Sequence, residues 1–112
     1  MKIKIINNVP FHVEIIASIV DNIENITRKP ADEIYLHLHP HTDKTFIRYI
    51  TNKYNNLKLS NDKCDYNIHA TFYPRDFPKF KPSDFYICHE FNNETLKHDN
   101  IFYLTQLAGK NY

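Results

Sequence analysis

Histidines and cysteines give this chain most of its chemical range. His37, His39 and His41 alternate in the run His37-Leu38-His39-Pro40-His41, and His69 sits in a second alternating run from Tyr66 to Tyr73. Alternate residues of a strand share a face, so imidazoles from neighbouring strands have a route to convergence. Zinc takes neutral imidazoles in tetrahedral geometry, with a carboxylate or water completing the set. His37, His39 and His69 are therefore the candidate metal ligands, with Glu33 or Asp43 as the fourth. The alternative is a polar sheet face whose histidines pack beside Tyr35 and Tyr73, because His-x-His spacing is common and unspecific.

Cys88-His89-Glu90 contains the residue types of a nucleophile, a base and an orienting acid. Adjacency on a strand aims Cys88 and His89 at opposite faces, so they form no local dyad, and Cys88 reads as a buried thiol in place of a small apolar residue. Cys64 and Cys88 have neither metal-ligand nor CxxC spacing and are too few for a disulfide scaffold; both are expected to be reduced. No catalytic residue is assigned.

The loop Tyr73-Pro74-Arg75-Asp76-Phe77-Pro78-Lys79-Phe80-Lys81-Pro82 interleaves aromatic and basic residues, a pattern that stacks on bases or sugars. It is one short loop in a chain of net charge +1, without the broad basic surface of a nucleic-acid binder. The reading preferred here is that Phe77 and Phe80 cover the sheet where a helix is missing. The single glycine, Gly109, leaves no glycine-rich loop upstream to cradle a phosphate, so no cofactor is expected.

The elements that must position these residues follow from periodicity. Lys2 to Ile6 and Glu33 to His39 alternate as strands, with Ile3, Ile5, Ile34, Leu36 and Leu38 on one face. Between them, Asn8 is a candidate helix cap, Pro10 sits in the first turn, and Phe11, Ile15, Ile16, Ile19, Val20, Ile23 and Ile26 recur at helical spacing. Thr42 is expected to cap a second helix with Phe46, Ile47, Ile50 and Tyr54 inward. Residues 55–63 read as a loop or short edge strand. Tyr66 to Tyr73 is a third strand, with Tyr66, Ile68, Ala70 and Phe72 on one face. The three prolines of 74–83 predict a stiff loop or single turn. Phe85 to Phe91 and Ile101 to Leu107 are the last strands, parallel or mixed, with a helical turn over Asn93 to His98.

This order predicts an α/β fold: an open, mostly parallel five-stranded sheet of Rossmann-like or flavodoxin-like type with two main helices. Right-handed crossovers put both helices on one face. The other face, carrying Lys2, Lys4, Tyr35, His37, His39, Asn67, His69, Thr71 and Tyr73, is left to water, to the late segments or to a partner. In such sheets ligands bind beyond the carboxyl ends of the strands, where strand order reverses. That position collects Asn7, Asn8, His39, His41, Thr42, Tyr73, Arg75, Glu90, Asn92 and Gln106. From it, Asn8, His39, His41, Thr42, Tyr73, Arg75 and Glu90 are the candidate ligand-binding residues. Thr42 at a helix start and Arg75 are suited to an anion such as phosphate; otherwise these are caps and a solvated arginine.

At 112 residues, 42% apolar and 24% charged, the chain is expected to be one folded domain, or the N-terminal part of a larger protein. Its N-terminus lacks the apolar core and cleavage site of a secretory signal, and no apolar run approaches a membrane span, so an intracellular protein without membrane contact is expected. In that setting the Asn-x-Ser/Thr matches at Asn25 and Asn93 carry little weight.

The run Asp84-Phe85-Tyr86-Ile87-Cys88-His89-Glu90-Phe91, with Asn100-Ile101-Phe102-Tyr103-Leu104-Thr105, resembles segments of proteins from mimivirus-like giant DNA viruses. The resemblance covers about the last third of the chain, agrees with its Asn-, Ile-, Lys- and Tyr-rich composition, and carries no functional residue with it. It implies a viral protein of the host cytoplasm or virion. The strand and helix order is also similar to the N-terminal half of two-domain glycosyltransferases, which implies an enzyme acting with a second domain. The residues themselves point to a non-catalytic α/β domain recognising a protein partner, a second copy of itself, or a small anionic or sugar ligand. A glycosyltransferase-like or metal-dependent enzyme domain is the alternative.

Overall fold

The structure, a computed structural model, describes residues 1–89 and 98–103. Six strands form one sheet: β1 (Lys2–Asn7), β2 (Glu33–Leu38), β3 (Leu57–Leu59), β4 (Tyr66–Phe72), β5 (Phe85–Cys88) and β6 (Ile101–Tyr103). Their spatial order is β3-β2-β1-β4-β5-β6 and every neighbouring pair is parallel. This is the order of the Rossmann sheet, with its reversal between β1 and β4. The sheet has one strand more than predicted because Leu57–Leu59 pairs with β2, and the last two strands are parallel.

Helices α1 (Ile15–Asp21) and α2 (Ile23–Thr27) connect β1 to β2, and α3 (Lys44–Lys53) connects β2 to β3. Both crossovers run the same way along the sheet, so right-handedness sets all three helices on one face. Ile16, Ile19, Ile23, Ile26 and Ile50 meet Ile3, Ile5, Ile34, Leu36, Ile68, Ala70, Phe85 and Ile87 there in one buried cluster. Each fully buried isoleucine stabilises by about 1.5–3 kcal/mol relative to exposure.

The first helix begins at Ile15, not near Pro10, and Asn8 does not cap it. Asn7 is buried, and its amide donates to the Phe11 carbonyl at 3.2 Å, while His12 takes the left-handed conformation at φ 62°. Together they keep the chain out of the helix as far as His12. The helix then breaks at Asn22 (φ −115°), whose side chain donates to the Ser18 carbonyl, a local bond that competes with the helical ladder. Asp43, not Thr42, caps α3, accepting from the Thr45 amide at 3.0 Å.

In β4 one residue is extra: His69 pairs with Tyr86, but Phe72 pairs with Cys88. This bulge moves Phe72 off the helix face, where simple alternation had put it, and into a second, smaller cluster with Tyr86, Cys88, Ile101 and Tyr103. Residues Pro74–Lys79 form a short 3-10 helix, whose Phe77 packs against that cluster together with Phe80 just beyond it. The predicted covering role of these two phenylalanines is therefore met.

The second face is covered by the chain itself over much of its area. Lys4 and Tyr35 are both buried, and the Lys4 ammonium reaches Asn61 Oδ1 at 3.2 Å in the segment that crosses from β3 to β4. Among the described residues no helix is long and apolar enough to cross a membrane. The predicted turn over Asn93 to His98, apart from His98, and the continuations of the last two strands, apart from His89, lie outside the described residues.

Ile5→Ala, which empties a site without exposed surface, is expected to cost about 2–5 kcal/mol in urea unfolding. Leu59→Ala, on the half-exposed edge strand, is expected to change stability by less than about 1 kcal/mol.

Candidate functional site

A cleft of about 400 Å³ opens where the strand order reverses. Asn8 and Val9 enter it from the end of β1, and His69, Thr71, Phe72 and Tyr73 from β4 and its end. Arg75, Asp76 and Lys79 come from the 3-10 helix, and Lys81, Asp84 and Tyr86 from the approach to β5 and its first turn. The two sides of the reversal are tied by a buried hydrogen bond in which Thr71 Oγ1 donates to Asn7 Oδ1 at 2.9 Å.

Toward the middle of the sheet, His69 Nε2 meets Asp84 Oδ2 at 3.0 Å. The imidazole lies flat on Tyr86, with ring centres 4.6 Å apart and planes 7° from parallel. Tyr86 is fixed in turn: its hydroxyl accepts from the Lys81 amide at 2.9 Å, and Phe80 packs on its ring. Burial pushes the titration of the Tyr86 hydroxyl above its ordinary value, opposed by the hydrogen bond from the Lys81 amide and aided by the Asp84 charge.

The cleft lining has three cations against two carboxylates. Asp84 is engaged by His69, and Asp76 accepts from the Tyr73 amide at 3.2 Å. Arg75, Lys79 and Lys81 are exposed and join no ion pair with any described residue. The Arg75 guanidinium lies 4.7 Å from the centre of the Tyr73 ring, which orients it without neutralising it.

Beside the cleft, a row of rings runs along the strand ends: Phe11 on His12 and His12 on His89, each at 4.9 Å, and His89 near Tyr73 at 5.8 Å. His89 Nε2 donates to the Ala70 carbonyl at 2.6 Å. Burial lowers the titration of His89 below its ordinary value, against the opposing effect of that carbonyl.

Of the residues predicted from sequence, Asn8, Tyr73 and Arg75 line the cleft, joined by His69, which sequence had offered only as a metal ligand. His39, His41 and Thr42 form a separate turn after β2. There the His41 amide donates to His39 Nδ1, the Thr42 amide donates to the His39 carbonyl, and Thr42 Oγ1 is buried without a partner among the described residues. None of the three lines the cleft. Glu90, Asn92 and Gln106 lie outside the described residues.

The metal triad does not assemble. Ile6 of β1 pairs with His37 on one side and His69 on the other, so those histidines sit two strand spacings apart, about 9–10 Å. Zinc–nitrogen bonds are only about 2 Å long. His39 lies beyond the end of β2, and among the described residues no group of three His, Cys, Asp or Glu is placed to hold a metal ion.

Sequence reasoning missed Asp84 and Tyr86, because their partnership with His69 is made across strands. The alternating basic and aromatic pattern of residues 73–82 was the available signal for Lys79 and Lys81. No protein-family model, curated protein or solved structure matches the chain significantly, so no relative bears on the viral or glycosyltransferase resemblance.

Unfolding frees His89 to bind a proton at its ordinary value of about 6.5, whereas the folded chain resists protonation until lower pH. Its contribution to stability is therefore full above about 6.5 and is lost as pH falls through the lower folded value. Thermal unfolding followed from pH 7.5 to about 5 should show this loss. His89→Gln should flatten the slope.

Proposed function

We propose that this chain is a small non-catalytic α/β domain that binds a small anionic ligand in the cleft between the ends of β1 and β4. The observation that carries this reading is the charge arrangement: three exposed cations, Arg75, Lys79 and Lys81, outnumber the two carboxylates of the cleft, each of which is already held by a hydrogen bond. A volume of about 400 Å³ lies within the usual range for small-molecule sites. Phe72, Tyr73 and Tyr86 add aromatic wall to the polar groups, the mixture such sites use for orientation and affinity.

The side from which the anion would be held differs from that of dinucleotide-binding sheets of the same strand order. Those use a glycine-rich turn between the first strand and the first helix. Here residues 8–14 contain no glycine, and the cations come from the connection between β4 and β5 instead. The self-covered second face favours this ligand reading over recognition of a protein partner across the open sheet, since Lys4 and Tyr35 are already buried by the chain.

Inorganic phosphate and pyrophosphate at low salt are expected to raise the melting temperature by several degrees when present at about a hundred times the dissociation constant. Arg75→Ala combined with Lys79→Ala should weaken pyrophosphate binding by tenfold or more, as removal of charge-assisted contacts predicts. Thr42→Val, in the separate turn, should leave binding unchanged. Calorimetric titration showing no binding of either anion would remove the reading.

A further inference from the structure

Resting on that reading, we infer that the ligand is a phosphorylated sugar or closely similar phosphorylated polyol, and that His69 reads one of its hydroxyls. A carboxylate only accepts hydrogen bonds, so the 3.0 Å contact with Asp84 Oδ2 requires the proton on His69 Nε2. In the neutral ring this leaves Nδ1 as a lone-pair acceptor. Nδ1 has no hydrogen-bond partner among the described residues, and the ring lines the cleft.

The acceptor is also held in place. Stacking on Tyr86 fixes the imidazole plane, and Tyr86 is itself fixed by the Lys81 amide and by Phe80. The ionised oxygens of an inorganic anion repel the Nδ1 lone pair, and hydrogen phosphate offers only a single P–OH on the same centre as its charge. A ligand with its negative charge at one end and a hydroxyl donor at the other satisfies both: the charge meets Arg75, Lys79 and Lys81, and the hydroxyl donates to Nδ1. Asn8, exposed at the opposite wall, offers both an amide donor and a carbonyl acceptor for further hydroxyls.

The test compares inorganic phosphate, ribose and ribose-5-phosphate by calorimetry on the full chain at mildly alkaline pH. Ribose-5-phosphate is expected to bind at least about threefold to tenfold more tightly than phosphate, the gain of one well-made neutral hydrogen bond. His69→Phe keeps an aromatic ring on Tyr86 but removes the acceptor. It should erase that gain, bringing the ratio of ribose-5-phosphate to phosphate affinity to about one whatever the freed Asp84 carboxylate does to both. His69→Gln, whose amide carbonyl also accepts, should recover part of it, and retained phosphate binding certifies that both variants are folded. If phosphate binds but ribose-5-phosphate binds no better, or if His69→Phe weakens both equally, the inference about the hydroxyl is overturned and the anion site stands. If neither phosphate nor ribose-5-phosphate binds the unmodified chain, the anion reading fails with it.

Discussion

The isoleucine face of β1 is the constraint from which the rest of the molecule follows. Ile3 and Ile5 have no exposed surface, and they lie at the centre of the sheet between β2 and β4. Burying them demands helices on that side, and all three helices go there. Against the opposite face the later connections among the described residues set only the segment 60–65, which meets Lys4, and a short 3-10 helix. Phe77 of that helix and Phe80 just beyond it fill part of the space over Phe72 and Tyr86, and the cleft lies beside them. The candidate site is thus a consequence of unequal covering: a proline-rich turn occupies a position where a doubly wound sheet ordinarily has a full helix.

Most buried polar groups of this arrangement are used in pairs, as burial requires, although Thr42 Oγ1 and Asn67 Oδ1 have no partner among the described residues. Asn7 receives the Thr71 hydroxyl and gives its amide to Phe11, which joins β1 to β4 and also sets the loop entering the first helix. Asp84 is buried at the start of β5 and is met by His69. The cations of the cleft are exposed and without ion pairs among the described residues. Water solvates them at little cost where they stand, and an anion entering the cleft would replace that water with an aromatic-walled surround in which Coulomb attraction is stronger.

Near absence of glycine leaves its mark on the backbone. Arg28, at the end of α2, and His12, in the loop beside the cleft, both take φ near 62°, a region that glycine enters without penalty. Arg28 closes a helix end, where such a cap is common, and its guanidinium reaches Asn100 at 2.9 Å. His12 turns the loop so that its ring meets Phe11 edge-on and lies tilted against His89 at the rim of the site.

By itself, the sequence determined the elements and their inner faces. Alternation of Ile3, Ile5, Ile34, Leu36, Ile68 and Ala70, and the helical spacing of Ile16, Ile19, Ile23 and Ile26, are local patterns set by side-chain period, and each of these residues is in the core. The strand-end rule likewise marked Asn8, Tyr73 and Arg75. What only the tertiary structure decided depends on contacts far apart along the chain. The bulge that turns Phe72 to the other face exists only in the pairing of β4 with β5. The start of α1 depends on Asn7, which is oriented by Thr71 from another strand. His37 and His69 stand apart because β1 lies between their strands, while His69 and Asp84 meet because β4 and β5 are neighbours. Strand order is set by the packing of the whole sheet, and no local run of residues encodes it.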